Sequence, residues 1–270
     1  MAAIVTDRTV PRCGSGNHSY AEPGMKPTNQ ERSQPGESDL ERTLGSAPIV
    51  DLAPVGVGSN AVFLATLQTG QDHLRAIYKP ARGERPLWDF PQGTLHRREV
   101  ACFVVDRALG FGFLPATVIR RDAPLGRGSL QEFVEGPAPG HQLDRDRLEG
   151  QLRGLATLDV LVNNADRKSA HLLVDRSGQL KGIDHGVTFN VDFKLRTVLA
   201  DLGGEAVPAT WLDPVRRLLD DPVTMSRLRS RLSQLLAPAE IREFVRRSHR
   251  LVAEGHYPQL HPWYGRPFEW

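Results

Sequence analysis

The feature that most constrains the fold of this 270-residue chain is a change in its hydrophobic pattern after about residue 136. From Ala47 to about Gly136, short apolar segments rich in β-branched and aromatic residues alternate with glycine turns, which indicates a small antiparallel sheet. From about Leu143 onward the apolar residues recur mostly at helical spacing. Strands followed by helices favour an α+β fold with two lobes over a repeated βαβ fold.

One helix and one hairpin interrupt this order. The segment GTLHRREVACFVVDRALGFG has a helical apolar pattern and stops at Gly110, a typical helix end. The segments HLLVD and LKGIDHG flank the Ser177-Gly178 turn, which predicts a β-hairpin. We therefore expect a sheet lobe over residues 47–136 and a mainly helical lobe over residues 137–270.

The first 46 residues differ in composition from the rest of the chain. They are rich in Gly, Pro, Ser, Asn, Glu and Arg and show no sustained apolar period. Such a segment buries too little apolar surface to offset the entropy lost on ordering. The sequence therefore predicts a disordered tail over residues 1–46.

The charge balance excludes some partners. Lysine and arginine total 34 against 32 acidic residues, so the net charge of +2 gives no overall attraction to nucleic acid or anionic lipid. No apolar run reaches the length of about 18 residues that a membrane-spanning helix needs, and charges at Asp7 and Arg8 argue against a signal peptide. We expect a cytoplasmic protein without stable membrane insertion.

The segment from Asp159 to Gly186 carries the pattern most informative about function. Asp166 stands in a polar loop, the predicted hairpin follows, and Ile183-Asp184-His185-Gly186 closes it. This order resembles the catalytic loop and metal-binding segment of kinases. The resemblance is closest to the phosphatidylinositol 3/4-kinase group, here as a bacterial branch, and more distant to the HipA-type kinases. In these families an Asp-Arg pair opens the catalytic loop, as Asp166-Arg167 does here.

The resemblance covers about residues 50 to 190 and implies a protein-kinase-like two-lobed fold that uses ATP and Mg²⁺. It implies that Asp166, with Arg167 beside it, orients or deprotonates an acceptor hydroxyl, and that Asp184 holds the metal. The second metal ligand of these families is normally asparagine, but here the position is His171. Since Mg²⁺ prefers oxygen ligands, His171 could contact a phosphate, favour Mn²⁺, or leave one metal site depleted. Asn163 and Asn164 lie close enough in sequence to substitute.

The first half of the chain contains the nucleotide-binding positions that the resemblance implies. Lys79, one of only five lysines, ends a strand and would bind the phosphates, while Glu99 in the next helix would pair with it. A flexible turn suited to covering phosphates contains Gly56, Gly58 and Ser59. The strand at the place of the interlobe hinge, where backbone groups bind adenine, contains Gln131, Glu132, Phe133 and Val134.

The loop from Arg82 to Phe90 is dense in arginine and aromatic residues. Guanidinium groups suit phosphate, so this loop could bind a phosphate or the acceptor. The other interpretation is a packed loop anchored by Trp88 and Phe90.

Taken together, the sequence predicts transfer of the γ-phosphate of ATP to a hydroxyl on a protein, a small molecule or an inositol lipid. Three alternatives stay open at this point. A kinase-shaped nucleotide-binding scaffold is favoured by His171 where asparagine is expected. The same fold could instead transfer AMP. A partner-binding protein that uses the apolar C-terminal segment would bind no nucleotide.

Overall fold

The computed structural model describes residues 38–56, 60–136, 143–261 and 265–267. Within these residues the predicted α+β architecture is confirmed, with a five-stranded antiparallel sheet, a separate hairpin and six α-helices. The sheet has the strand order β1-β2-β3-β5-β4. Its strands are β1 (Ile49–Pro54), β2 (Phe63–Thr69), β3 (Asp72–Pro80), β4 (Thr117–Arg120) and β5 (Gly128–Glu132).

Strand β3 is the central element of the sheet and carries the lysine singled out above. It pairs with β2 through a tight connection in which Gly70 takes a φ of 68° that favours glycine. On its other side it pairs with β5, with Lys79 opposite Ser129. Tyr78 is fully buried in the core. Because successive side chains of a strand alternate, Lys79 points to the opposite face.

Helix α2 (Leu95–Leu109) packs against β4 and β5 and ends at Gly110, as predicted. Gly110 adopts a left-handed φ of 69°, the usual glycine conformation after a helix. At the other end, the amides of Leu95 and His96 donate to the carboxylate of Glu84 at 3.0 and 2.8 Å. Glu84 therefore satisfies helix amides that would otherwise lack partners.

A short helix, α1 (Asp39–Ser46), lies within the predicted disordered tail, so that prediction is wrong for its last residues. The Glu41 amide donates to the Ser38 hydroxyl at 3.2 Å, which caps the helix. Leu44 is fully buried, and Arg120 donates to the Leu44 carbonyl at 3.1 Å. This packing offsets the ordering entropy that the composition suggested could not be recovered. Residues 1–37 lie outside the described residues.

The second half of the chain is mainly helical, and its predicted hairpin is confirmed. One buried ion pair, between Arg98 of α2 and Glu240, links the sheet-bound helix to this part of the chain. The remaining elements are α3 (Arg145–Val162), β6 (Leu172–Val174), β7 (Leu180–Gly182), α4 (Ala209–Asp220), α5 (Pro222–Leu232) and α6 (Pro238–Glu254). None of the helices in the described ranges combines the length and apolar character needed to cross a membrane.

Asp106 of α2 should make stability depend on pH. Its carboxylate is buried and accepts the amides of Phe113 and Leu114, both at 3.2 Å. Burial raises its pKa from 3.8 to about 6. The folded state therefore binds a proton that the unfolded chain releases between about pH 4 and 6, so the stability that Asp106 contributes falls as pH rises through that window.

We expect the unfolding free energy of the wild type, relative to Asp106→Asn, to increase by roughly 2–3 kcal/mol when pH is lowered from about 7 to 4. Urea unfolding at several pH values measures this difference. The control is Asp122→Asn, which alters an exposed carboxylate paired with Arg120. A difference between wild type and Asp106→Asn that stays constant with pH would contradict the prediction.

Candidate active site

Lys79, Glu99 and Asp184 meet at one place although they are far apart in the sequence. Lys79 Nζ lies 2.5 Å from Glu99 Oε1 and 2.9 Å from Asp184 Oδ1. The second oxygen of Glu99, Oε2, accepts the backbone amide of His185 at 2.9 Å. The ion pair expected between Lys79 and Glu99 is therefore present, and it is joined directly to the segment that contains Asp184.

The charges in this cluster stabilise one another. Burial alone would lower the pKa of Lys79, but the carboxylates of Asp184 and Glu99 outweigh it, so the pKa is raised and the ammonium form persists. The same lysine lowers the pKa of Asp184 well below its usual value. Asp184 has a side chain about half exposed and a left-handed φ of 61°, which aspartate tolerates better than most residues. An ionised, accessible carboxylate therefore faces a fixed ammonium group.

Asp166 borders the same cavity as Lys79, Glu99 and Asp184. It is paired with Lys168, which was not among the predicted site residues. Lys168 Nζ is 2.9 Å from Asp166 Oδ2. Burial raises the pKa of Asp166, and the ammonium of Lys168 partly counteracts that effect. The raised pKa makes this carboxylate a better proton acceptor than a solvent-exposed one. Lys168, two positions after Asp166, could have been identified from that spacing.

His171 is buried beside Asp184, with Nε2 3.4 Å from Asp184 Oδ2. Burial lowers its pKa to about 4, so the ring is neutral near neutral pH. Its Nδ1 accepts the amide of Lys168 at 3.3 Å, which places the ring proton on Nε2, facing Asp184. In this arrangement the Nε2–H group of His171 lies beside the carboxylate of Asp184.

Arg167, predicted as a catalytic residue, is instead part of the core, which corrects that prediction. It is fully buried and donates from Nε and Nη2 to the two oxygens of Asp159 at 2.9 and 2.8 Å. Its Nη1 also donates to the Ile183 carbonyl at 2.8 Å. The guanidinium points away from the cavity, on the side opposite to its neighbours Asp166 and Lys168. Arg167 holds the loop in place and does not reach a substrate.

Asn163 and Asn164 are fully buried and used in holding the loop, so they cannot substitute as metal ligands. Asn163 donates to the Asn190 and Asp192 carbonyls at 3.0 and 2.7 Å. Asn164 donates to Asp159 at 2.9 Å and accepts the Asp166 amide at 3.0 Å. Their polar atoms are already satisfied by the protein.

The charged side chains described above, apart from the pair of Arg167 and Asp159, border one cavity of about 430 Å³. This volume is within the usual range of ligand sites. Among the residues that line it are Lys79, Glu99, Asp166, Lys168, His171 and Asp184. Glu84 and Asn60 also border it, and Asn60 Oδ1 accepts the Arg85 amide at 2.6 Å. The side chains that the sequence predicted to converge thus share one cleft.

Other residues predicted to contact the nucleotide do not line this cavity. Gly56 has a φ of 73° but does not line the cavity, and Gly58 and Ser59 lie outside the described residues. The predicted hinge residues Gln131, Glu132, Phe133 and Val134 also do not line it. The amides of Glu132 and Phe133 donate to the Ala116 and Arg75 carbonyls. These two amides are therefore not available to adenine, which corrects that part of the prediction.

The arginine- and aromatic-rich loop behaves differently at its two aromatic residues. Phe90 is buried, and the Arg98 guanidinium lies 4.9 Å from its ring centroid. Trp88 is 92% exposed, with Lys194 Nζ 4.5 Å from its ring centroid. Phe90 anchors the loop as predicted, whereas Trp88 does not. Leu87, between Pro86 and Trp88, lines the cavity.

Comparison with known proteins adds one relative and a fold. In an alignment 270 positions long, the chain is 34% identical to Protein Rv2133c of Mycobacterium tuberculosis, covering 86% of this chain and 95% of that protein. No family model matches the chain. The crystal structure of the Golgi casein kinase with Mn/ADP bound superposes with a TM-score of 0.54 and 17% identity, over 80% of this chain and 74% of that one.

A proinflammatory kinase of Helicobacter pylori, CtkA, gives a TM-score of 0.47 at 11% identity, over 76% of this chain and 91% of that one. The superposition with the Golgi casein kinase shows a protein-kinase-like fold. It does not show membership of the phosphatidylinositol 3/4-kinase group, which stays a prediction from the motifs.

The buried pair of Arg167 and Asp159 should be essential for stability. We expect Arg167→Met and Asp159→Asn each to lower the unfolding free energy by about 3–5 kcal/mol, because each leaves the partner charge buried and unpaired. Denaturant unfolding of both variants and of the double variant gives the coupling. The double variant should be less destabilised than the sum of the two. Costs below about 1 kcal/mol, typical of exposed pairs, would contradict the assignment.

Proposed function

This chain belongs to the family of Protein Rv2133c, and we propose that it is an ATP-dependent phosphotransferase that transfers the γ-phosphate to a hydroxyl group. One observation carries the proposal: Lys79, Asp166 and Asp184, from three separate segments, share one cavity with their charges fixed by protein partners. The protein-kinase-like fold supports it. Phosphoryl transfer needs mainly alignment and charge neutralisation, and this cluster offers both.

Each charged group has a role that follows from its contacts. The ammonium of Lys79 is held by Glu99 and is directed at the cavity, where a phosphate would compete with Asp184 for it. Asp166 accepts the proton of the acceptor hydroxyl as that oxygen forms its bond to the γ-phosphorus and the bond to the ADP oxygen breaks. Lys168, beside Asp166, offsets negative charge on the phosphoryl group.

A divalent metal fits the site if it arrives with the nucleotide. In the described part of the chain, no three His, Cys, Asp or Glu side chains cluster in a way that could hold a metal on their own. Asp184 offers an ionised carboxylate, and Mg²⁺ in such sites commonly takes one or two carboxylates plus phosphates and water. When bound, the metal neutralises phosphate charge. Mn²⁺ tolerates nitrogen ligands better than Mg²⁺ does, but the Nε2 proton of His171 faces Asp184, so the ring would have to change tautomer to bind either metal.

The acceptor is left open, because the cavity lining that the structure describes has no feature that selects a protein, a small molecule or an inositol lipid. The alternative of a nucleotide-binding scaffold is favoured by two observations: Lys79 and Asp184 neutralise each other, and His171 stands where a metal-binding asparagine is expected. A scaffold would be stabilised by ATP without turning it over. AMP transfer on the same fold would be recognised from the mass of the modified product.

The main test uses Asp166→Asn. We expect ATP turnover or autophosphorylation to fall on the order of 10²- to 10⁴-fold, because the general base is lost. The rise in melting temperature caused by ADP and metal should be retained, because Asp166 is paired with Lys168, whereas Lys79 is paired with Glu99 and Asp184. Labelled ATP and differential scanning fluorimetry measure the two effects.

The matched control is Asp220→Asn, an exposed aspartate at the end of α4, which should leave turnover unchanged. Wild-type protein that binds ATP and shows no turnover with any tested metal would favour the scaffold. Absence of any nucleotide-induced stabilisation would end the proposal altogether.

A second test addresses metal choice through His171→Asn. The amide oxygen adds a hard ligand next to Asp184, so we expect Mg²⁺ with ADP to stabilise the variant more than the wild type, relative to Mn²⁺ with ADP. The change in the Mg²⁺/Mn²⁺ affinity ratio should be on the order of tenfold. Titrated melting curves report this without relying on activity. His256→Asn, an exposed histidine, is the control, and an unchanged ratio in His171→Asn would place residue 171 away from the metal.

A further inference from the structure

A second cavity, of about 830 Å³, lies beside helix α2 and is larger than the active-site cavity. It is bordered by α1, by β4 and the turn that follows it, and by α5 with the residues after it. His96 of α2 lines both cavities, whereas Lys79, Asp166 and Asp184 line only the active-site cavity. The second cavity is therefore a separate site that shares one wall with the first.

The lining of this cavity is strongly cationic. Five arginines border it, and the one carboxylate in its described lining, Glu41, is already paired with Arg107. The arginines come from five places in the chain: Arg82, Arg97, Arg121, Arg127 and Arg231. We call this cavity, with these five arginines, the arginine groove. Its charge contrasts with a net charge of only +2 for the whole chain.

Three of these arginines have guanidinium groups available to a ligand. Within the described residues, Arg97, Arg121 and Arg127 form no side-chain hydrogen bond or ion pair. Arg121 and Arg127 are exposed and Arg97 is half-buried. Bringing like charges into one concave site is unfavourable unless an anion compensates them.

The apolar residues that line the groove strengthen the attraction between its arginines and an anion, and His96 adds a polar atom, Nε2. Val100, Val104 and Ile119 form part of an apolar lining, and an apolar wall raises the effect of nearby charges on an anion. The buried ring of His96 uses Nδ1 on Glu84 at 2.6 Å, while its Nε2 has no hydrogen-bond partner in the described part of the chain. Concave shape, apolar floor and clustered guanidinium groups together distinguish this groove from an ordinary solvated surface.

We propose that the arginine groove binds a phosphate-bearing ligand. Guanidinium groups match phosphate oxygens in paired, parallel hydrogen bonds, so several of them around one cavity suit a ligand with more than one phosphate. The phosphates could belong to a free oligophosphate or to phosphorylated side chains of a protein. This site does not depend on the phosphotransferase activity proposed above.

The test measures binding of inorganic tripolyphosphate to the full chain by isothermal titration calorimetry, without divalent metal. We expect Arg121→Gln/Arg127→Gln to weaken binding at least about tenfold, because two charge-assisted contacts are lost. Both residues are exposed, so the variant should keep the wild-type melting temperature. Lys79→Met, in the active-site cavity, should leave this binding unchanged.

The matched control is Arg216→Gln/Arg246→Gln, which removes two exposed arginines of α4 and α6 outside the groove. If this control weakens binding as much, the attraction is unspecific and the proposal is overturned. It is also overturned if Lys79→Met abolishes binding while Arg121→Gln/Arg127→Gln does not, or if the wild type binds neither tripolyphosphate nor the peptide described next.

A second probe identifies the source of the phosphates. A short peptide with two phosphoserines flanked by apolar residues is compared with its unphosphorylated form and with tripolyphosphate. Tighter binding of the phosphopeptide supports the site and indicates a phosphorylated protein that also uses the apolar floor. Tighter binding of tripolyphosphate supports the site and indicates a free oligophosphate.

Discussion

The geometry of the site depends on one buried carboxylate, Glu99. Its two oxygens contact Lys79 of the sheet and the His185 amide beside Asp184, so one side chain of α2 joins both halves of the cleft. Burial raises the pKa of Glu99, and Lys79 counteracts this effect. A charged carboxylate at this depth is tolerated only while its partners are in place. The partners that compensate the charge of Glu99 are therefore the same groups that form the two sides of the cleft.

The loop that contains Asp166 combines side chains that hold it in place with side chains that face the cavity. Asp166 and Lys168 border the cavity, whereas Arg167 between them is fully buried against Asp159. In extended chain, successive side chains point to opposite sides, and Lys168 has extended backbone dihedrals. The buried Arg167 thus fixes the direction of both neighbours. This explains how a short polar loop can present two partly exposed charges with defined geometry.

Much of the fold could be predicted from the periodicity of the sequence, whereas parts of the site could not be predicted. The strand-then-helix order predicted the α+β architecture, because periodicity is a local signal. The ion pair of Lys79 and Glu99 was implied by the resemblance to kinases and not by a local pattern. Arg167 was misassigned because an Asp-Arg pair does not reveal which side chain turns inward. Helix α1 was missed because its sequence signals, a capping box and an apolar residue at Leu44, are weak in a segment that is otherwise polar. That Leu44 is buried is visible only in the structure. The groove arginines come from separate segments and leave no local pattern.

Helix α2 connects the arginine groove, helix α6 and the active-site cleft, because three consecutive residues of the helix face these three parts of the structure. Arg97 lines the arginine groove, Arg98 pairs with Glu240 of α6, and Glu99 pairs with Lys79 in the cleft. Under the two proposals above, a ligand in the groove would contact Arg97, and a nucleotide in the cleft would contact Lys79, whose partner Glu99 is two positions further along the same helix. If either ligand favours one position of α2, the effect on the other must be reciprocal, because the two binding free energies are linked through the same element.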